Sequence, residues 1–167
     1  MPKTTIERLR KAFTFDAETG VLRRAEHVEK SKFKLGDIVG TPNFEGYLTV
    51  SVEQEKLHVH RVIWALHYGE WPIQSLDHIN MNRVDNRIEN LRLATHSQNQ
   101  MNTKPRSRSG LKGVTELPCG SWQGQIAING KNTYLGTFKT ADEAAHAYNK
   151  MAVKHFGEFA VLNPVGA

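Results

Sequence analysis

The 167-residue chain predicts an α+β fold: a small N-terminal helix and β-rich region, a strand–loop–strand–helix core, then a three-stranded antiparallel sheet packed on one helix. Three observations carry this. Trp122, Gly124, Ile126 and Ile128 alternate with Gln123, Gln125 and Ala127 up to Asn129-Gly130, a half-buried strand entering a two-residue hairpin turn. Ala144, Ala145, Tyr148, Met151, Ala152 and Phe156 recur at helical spacing just after it. Between residues 57 and 102, a helical stretch, an Asn-rich loop, an alternating Leu91-Arg92-Leu93-Ala94 and a capped helix follow one another.

Residues 1–56 open with Ile6, Leu9, Arg10 and Phe13, a short amphipathic helix. Residues 13–15 and Val21-Leu22 flank a turn at Thr19-Gly20 and predict a hairpin. Ile38-Val39 and residues 47–52, separated by Pro42 to Gly46, predict a second strand pair. No catalytic constellation stands out here, and a scaffold role is expected, with Lys30, Lys32 and Lys34 as available phosphate contacts.

In residues 57–102, Val59, Val62, Ile63 and Leu66 have helical spacing and Gly69 is placed to end that helix. Thr95 caps the last helix, with Gln98 completing a Thr-x-x-Gln capping box. Residues 103–110 contain no apolar residue and read as a basic linker, or as an extended arm along a DNA groove, with Lys104, Arg106 and Arg108 as its cations. Residues 111–167 form the last module, with strands at Gly113-Val114-Thr115, Trp122–Ile128 and Thr133–Gly136, and a helix entered through a Thr140/Glu143 capping box.

Composition narrows the function. Hydrophobic residues make up 39% and charged residues 23%, as in a folded domain. No apolar run approaches the roughly 18 residues needed to span a bilayer, and the N-terminal residues lack the apolar centre of a signal peptide, so a cytoplasmic location and no membrane partner are expected. The single cysteine, Cys119, excludes an internal disulfide and a multi-cysteine zinc site. The net charge is +5, of which residues 103–167 carry +4. Basic excess favours a polyanionic partner, although a solvated basic surface has the same composition.

The chemistry-bearing residues are Asp77, His78, Asn90 and Asn99. Asp77 is a hard oxygen donor suited to Mg2+ or Mn2+. His78 is adjacent and titrates near neutrality. Adjacent strand residues face opposite sides, so the two serve one site only where the strand ends or bulges. Asn99, on the second turn after Thr95, carries an amide oxygen for the same cation, and Asn90 sits at the loop-to-strand junction. His60 and Arg61 are available to phosphates or to the start of the helix. Each residue has a plain alternative: turn former, surface histidine, exposed helix face.

The stretches His60-Arg61, Leu76-Asp77-His78-Ile79-Asn80, Asp85 to Thr95 and Ser97 to Asn102 together resemble the HNH endonucleases, and within them the phage and intron-borne homing subgroup in which Asn replaces the final His. The resemblance covers roughly 45 residues, with 12 positions from His78 to Asn90 and 9 from Asn90 to Asn99. It implies a ββα-metal core. Asp77 and Asn99 would ligate one divalent metal, Mg2+ or Mn2+, His78 would be the general base, and Asn90 would hold the loop and orient His78. Arg87 joins His60 and Arg61 as a DNA contact.

Residues 110–163 resemble the AP2/ERF DNA-binding domain through Gly113-Val114, Trp122, Gln125-Ile126, residues 134–138, Ala144-Ala145-x-Ala147-Tyr148 and residues 156–163. The resemblance implies a sheet laid into the major groove. By alternation Trp122, Gly124, Ile126 and Leu135 face the helix, while Gln123, Gln125, Asn132 and Tyr134 face outward, with Lys112 and Lys131 near phosphates.

The expected organisation is therefore 1–56, an N-terminal region; 57–102, the nuclease core; 103–110, the linker; and 111–167, the DNA-reading module. The expected activity is metal-dependent hydrolysis of double-stranded DNA to 5′-phosphate and 3′-hydroxyl ends. It would be carried out by a phage-encoded monomer or homodimer in the cytoplasm of an infected bacterium, with no small-molecule cofactor. The alternative is a sequence-specific DNA-binding regulator whose HNH core is inactive.

Overall fold

In the computed structural model, which describes residues 2–27, 29, 32–105 and 107–166, Thr5 starts the first helix by accepting the Arg8 N–H on Oγ1 at 3.2 Å. Helix α1 (Ile6–Ala12) runs two turns and ends where Phe13 turns extended. Strands β1 (Phe13–Asp16) and β2 (Val21–Arg24) pair antiparallel. Their turn is organised by Asp16, whose Oδ1 accepts the N–H groups of Glu18 and Thr19. Strands β3 (Thr41–Pro42), β4 (Leu48–Val52) and β5 (Glu55–His58) form a second sheet in the order β3-β4-β5. Helix α2 (Val59–Tyr68) follows and stops at Gly69, which takes a left-handed conformation and donates its N–H to Ala65 O. Strand β6 (Ser75–His78), a 3-10 turn at Ile88–Asn90 and strand β7 (Leu91–Ala94) complete the first of two compact units, residues 1–94.

Leu9, Phe13, Leu22, Val50, Val59, Val62 and Ile63 are buried in one core within this unit. That core draws on residues from both sides of position 56, so the N-terminal region packs as part of the same body as α2 rather than as a separate segment. Two local expectations are corrected. Thr41–Pro42, not Ile38-Val39, pairs with β4, and Ile38 makes only an isolated bridge to Arg23. Strand β5 was not foreseen. Its turn uses Glu53 and Gln54 at positive φ instead of Gly or Asn, and its charged first residues mask the pattern.

The second unit, residues 95–167, begins with α3 (His96–Met101), capped by the reciprocal Thr95–Gln98 box. Strands β8 (Val114–Glu116), β9 (Trp122–Ile128) and β10 (Lys131–Phe138) form an antiparallel sheet in the order β10-β9-β8. Helix α4 (Ala141–Phe156) starts at the Thr140–Glu143 capping box, and its Ala144, Ala145, Tyr148 and Ala152 are buried with Val114 and Ile126. A register shift between Tyr134 and Gly136 sets Phe138 opposite Trp122. Asn163 clamps the C-terminal segment: its side chain bonds both backbone groups of Lys112, and its own backbone bonds the Asn149 amide. The described residues form a mixed α/β protein of small sheets and four helices, and none of those helices is long and apolar enough to cross a membrane.

One contact connects the N-terminal hairpin to the loop after β6. Gly20 has φ +69°, and a Cβ there would lie 2.4 Å from Arg87 N and 2.5 Å from the Asn86 carbonyl carbon. Ile88 N also donates to Ala17 O at 3.1 Å. Left-handed strain and a backbone clash therefore coincide at this position. Gly20→Ala is expected to lower stability by at least about 2 kcal/mol in urea denaturation; a loss under about 0.5 kcal/mol would show that the hairpin does not brace the loop.

Candidate active site

β6 and β7 pair so that Asp77 stands opposite Arg92 and His78 opposite Leu91. The Asp77 and Arg92 side chains are both largely buried. Arg92 donates from Nε and Nη2 to Asp77 Oδ2 at 2.9 and 2.8 Å. His78 is the last residue of β6 and is buried. Its Nε2 lies 3.2 Å from Asn86 Oδ1, while Asn86 Nδ2 donates to Val84 O at 3.3 Å. The second bond orients the amide, and a carbonyl oxygen only accepts, so the neutral ring carries its hydrogen on Nε2 and its lone pair on Nδ1.

Other aromatic rings enclose His78. The His60 ring meets it edge-on at 5.0 Å between centroids, and Tyr47 lies 5.8 Å away. Burial holds the His78 imidazole below its ordinary pKa, against the opposing pull of the Asn86 bond and the Asp77 charge. His60 is pushed down to about 2, first by burial and then by the neighbouring histidines. Both rings are therefore neutral at pH 7.

The loop that returns the chain from β6 to β7 is closed by amides. Ile79 N donates to Asn90 O at 2.9 Å. Asn90 Oδ1 accepts the Asn80 N–H at 3.0 Å, and its Nδ2 donates to Asn80 Oδ1 at 3.0 Å and Asp85 O at 2.8 Å. Asn80 in turn donates to Asp85 Oδ2 at 2.7 Å. Arg87, with help from Asn80, holds the Asp85 carboxyl at about 2. The resemblance assigned Asn90 two tasks; its side-chain bonds to Asn80 and Asp85 belong to the loop, and the side chain on the His78 ring is Asn86, buried and given no role by the sequence reading. The signal for Asn86 was its place in the run Asp85-Asn86-Arg87, where turn propensity offered an ordinary explanation.

Asn99 lies on α3, in the other compact unit. Its Oδ1 is buried and has no hydrogen-bond partner, an energetically costly state for a carbonyl oxygen. A carboxylate and a carboxamide oxygen are each donors that suit a hard divalent cation. Among the described residues no group of three or more His, Cys, Asp or Glu could hold a metal.

A family model for HNH endonucleases matches residues 57–101. An uncharacterized HNH endonuclease of Acanthamoeba polyphaga mimivirus is 35% identical over 140 residues, covering 83% of this chain and 70% of that protein. The chain belongs to the HNH endonuclease family. An AP2/ERF and B3 domain-containing transcription factor of Arabidopsis thaliana is 49% identical over 43 residues, 26% of this chain and 13% of that protein. A solved structure concerned with DNA binding and cleavage by the HNH homing endonuclease I-HmuI aligns over 93% of this chain and 91% of its own, with a TM-score of 0.41 and 16% identity.

Several positions expected to touch DNA in this HNH-family chain have other partners. His60 is buried and neutral, so it offers no charge to a phosphate. Arg61 is half-buried and reaches the Pro72 and Gln74 carbonyls at 3.4 and 3.5 Å. Arg87 is paired with Asp85 and Glu89. The Lys112 ammonium donates to the carbonyls of Met101 and Thr103, turned inward rather than toward solvent. Lys104, Arg108, Lys131, Asn132 and Tyr134 are exposed, Gln123 and Gln125 partly so. Lys30 and Arg106 lie outside the described residues.

Two outcomes follow for this HNH site. Long-range 1H–15N NMR of the His78 ring should show the Nε2–H form in the wild type and in Asn86→Asp, which keeps the acceptor, and a tautomer mixture in Asn86→Leu; an Nδ1–H ring in the wild type would contradict the assignment. For His60 and His78 the unfolded state binds protons that the folded state excludes. Their burial therefore supports stability above the unfolded value near 6.5, and that support is lost as pH falls below it. Each group should contribute a slope of about 1.4 kcal/mol per pH unit in denaturation experiments below pH 6.5. Stability that stays flat from pH 7 to pH 4.5 would refute the buried neutral pair.

Proposed function

We propose that the chain is a metal-dependent DNA endonuclease of the homing type, which hydrolyses phosphodiester bonds to 5′-phosphate and 3′-hydroxyl ends. The observation that carries this reading, beside family membership, is the His78 imidazole, set in one neutral tautomer by Asn86 at the end of the strand that carries Asp77. His78 Nδ1 takes a proton from the attacking water. Asp77 and Asn99 would hold one Mg2+ or Mn2+, which when bound supplies charge stabilisation for the phosphoryl transition state. Arg92 orients the Asp77 carboxylate until then. Asn90 fixes the loop that carries Asn80 to Asp85, so the water-activating ring needs little reorganisation.

On this reading the AP2/ERF-like second unit positions the nuclease. Gln123, Gln125, Asn132 and Tyr134 would read base edges, with Lys131, Lys104, Arg106 and Arg108 on phosphates. Phage origin and action in an infected bacterial cytoplasm belong to the same proposal. One observation favours the second reading, a DNA-binding regulator with an inactive core: the guanidinium of Arg92 already occupies Asp77 Oδ2, where a cation would have to compete.

A plasmid-nicking assay decides between them. With Mg2+ or Mn2+ the wild type should nick and EDTA should stop it. His78→Ala and Asp77→Ala should each lower the rate by about a hundredfold or more, with DNA retardation preserved. A wild type as inert as His78→Ala, on DNA that it binds, establishes the regulator. Because His78 is neutral, the rate should hold steady as pH falls from 8 to 6.5 and decline only below the ordinary histidine range.

A further inference from the structure

The turn between β3 and β4 carries Phe44 with 98% of its surface exposed. A lone exposed apolar side chain is ordinary on a protein surface. This one differs in how it is held and in what lies beside it. Asn43 Oδ1 accepts the N–H groups of Glu45 and Tyr47 at 3.0 and 2.9 Å, Asn43 N donates to Tyr47 O, and Gly46 N donates to Asn43 O. Arg83, from the loop after β6, donates to the Glu45 carbonyl and lies with its guanidinium 4.8 Å from the centre of the Tyr47 ring. The phenyl group is thus displayed on a braced tip rather than on a slack loop.

That tip is continuous with the active site. Tyr47, three residues after Phe44, packs against the His60 and His78 rings at 5.3 and 5.8 Å. The loop leaving His78 adds exposed apolar side chains, Ile79 at 44% and Val84 at 50%, beside the cationic Arg83. A flat apolar ring, smaller apolar neighbours and a guanidinium beside a general base match the chemistry of stacked bases and their phosphates. They match an acidic protein surface less well, since that would meet Phe44 with nothing apolar to cover it.

We propose that Phe44 is a wedge that inserts between adjacent base pairs of duplex DNA beside the phosphate attended by His78. The proposal rests on the nuclease reading for the position of that phosphate. Insertion opens one base step, widens the approach to the backbone and fixes the register of the strand to be cut.

Insertion unwinds DNA, so the linking number reports it without knowledge of the target site. Closed circular plasmid is saturated with the full chain in EDTA, relaxed by a topoisomerase that needs no metal, and stripped of protein. The wild type and Phe44→Trp should shift the linking number, and Phe44→Ala should not, although it still retards the plasmid. In Mg2+ or Mn2+, Phe44→Ala should nick about fivefold to about a hundredfold more slowly. Equal shifts for wild type and Phe44→Ala, or no shift from the wild type, overturn the wedge. A chain that cuts without Phe44-dependent unwinding loses the wedge and keeps the nuclease. A chain that unwinds through Phe44 but never cuts keeps the wedge and loses the nuclease.

Discussion

The carboxamide of Asn90 ties together a loop of mostly polar residues that lacks regular structure of its own. Between the end of β6 and the 3-10 turn, nine residues reverse the chain with few apolar contacts to hold them. Their backbone groups would otherwise turn to water, and the end of β6 would fray. Asn90 satisfies Asn80 N, Asn80 Oδ1 and Asp85 O at once. Asn86 is thereby fixed in sequence and in space, and through it the His78 ring. The Gly20 turn closes the same loop from the other side, where no side chain fits. A scaffold role for residues 1–56 thus takes a specific form: they brace the peptide between Asn86 and Arg87.

Burial sets the electrostatics. Excluding water costs the charged forms of His60 and His78, and at His78 that cost exceeds what the Asn86 bond and the Asp77 charge return, so the rings rest neutral. The buried Asp77 carboxylate meets Arg92, which supplies two donors to one oxygen. The two adjacent side chains therefore sit in different environments: an imidazole among rings, a carboxylate on a guanidinium.

Much of this was legible because the signals were local. The capping boxes at Thr95 and Thr140 and the helix end at Gly69 depend on residues within one turn, and all three stand where the spacing put them. Alternation through Trp122–Ile128 marked β9 for the same reason. What escaped was long-range or atypical. Strand β5 hid behind Glu53 and Gln54, which adopt positive φ without the usual glycine. Asn86 carried no signal beyond turn propensity, since its value comes from meeting His78 eight residues away. Lys112 looked like a surface cation, and only the fold turns its ammonium onto two backbone carbonyls.

The central proposal is that Asp77 and Asn99 both ligate one divalent ion. Substoichiometric Mn2+ added to 15N-labelled protein tests it directly, because the paramagnetic ion broadens resonances of nearby groups. The account predicts that the Asn99 side-chain amide and the Asp77 backbone N–H broaden together, and that Asp77→Ala abolishes the effect at Asn99. Broadening at one residue without the other, or an Asn99 signal that broadens unchanged in Asp77→Ala, would contradict it.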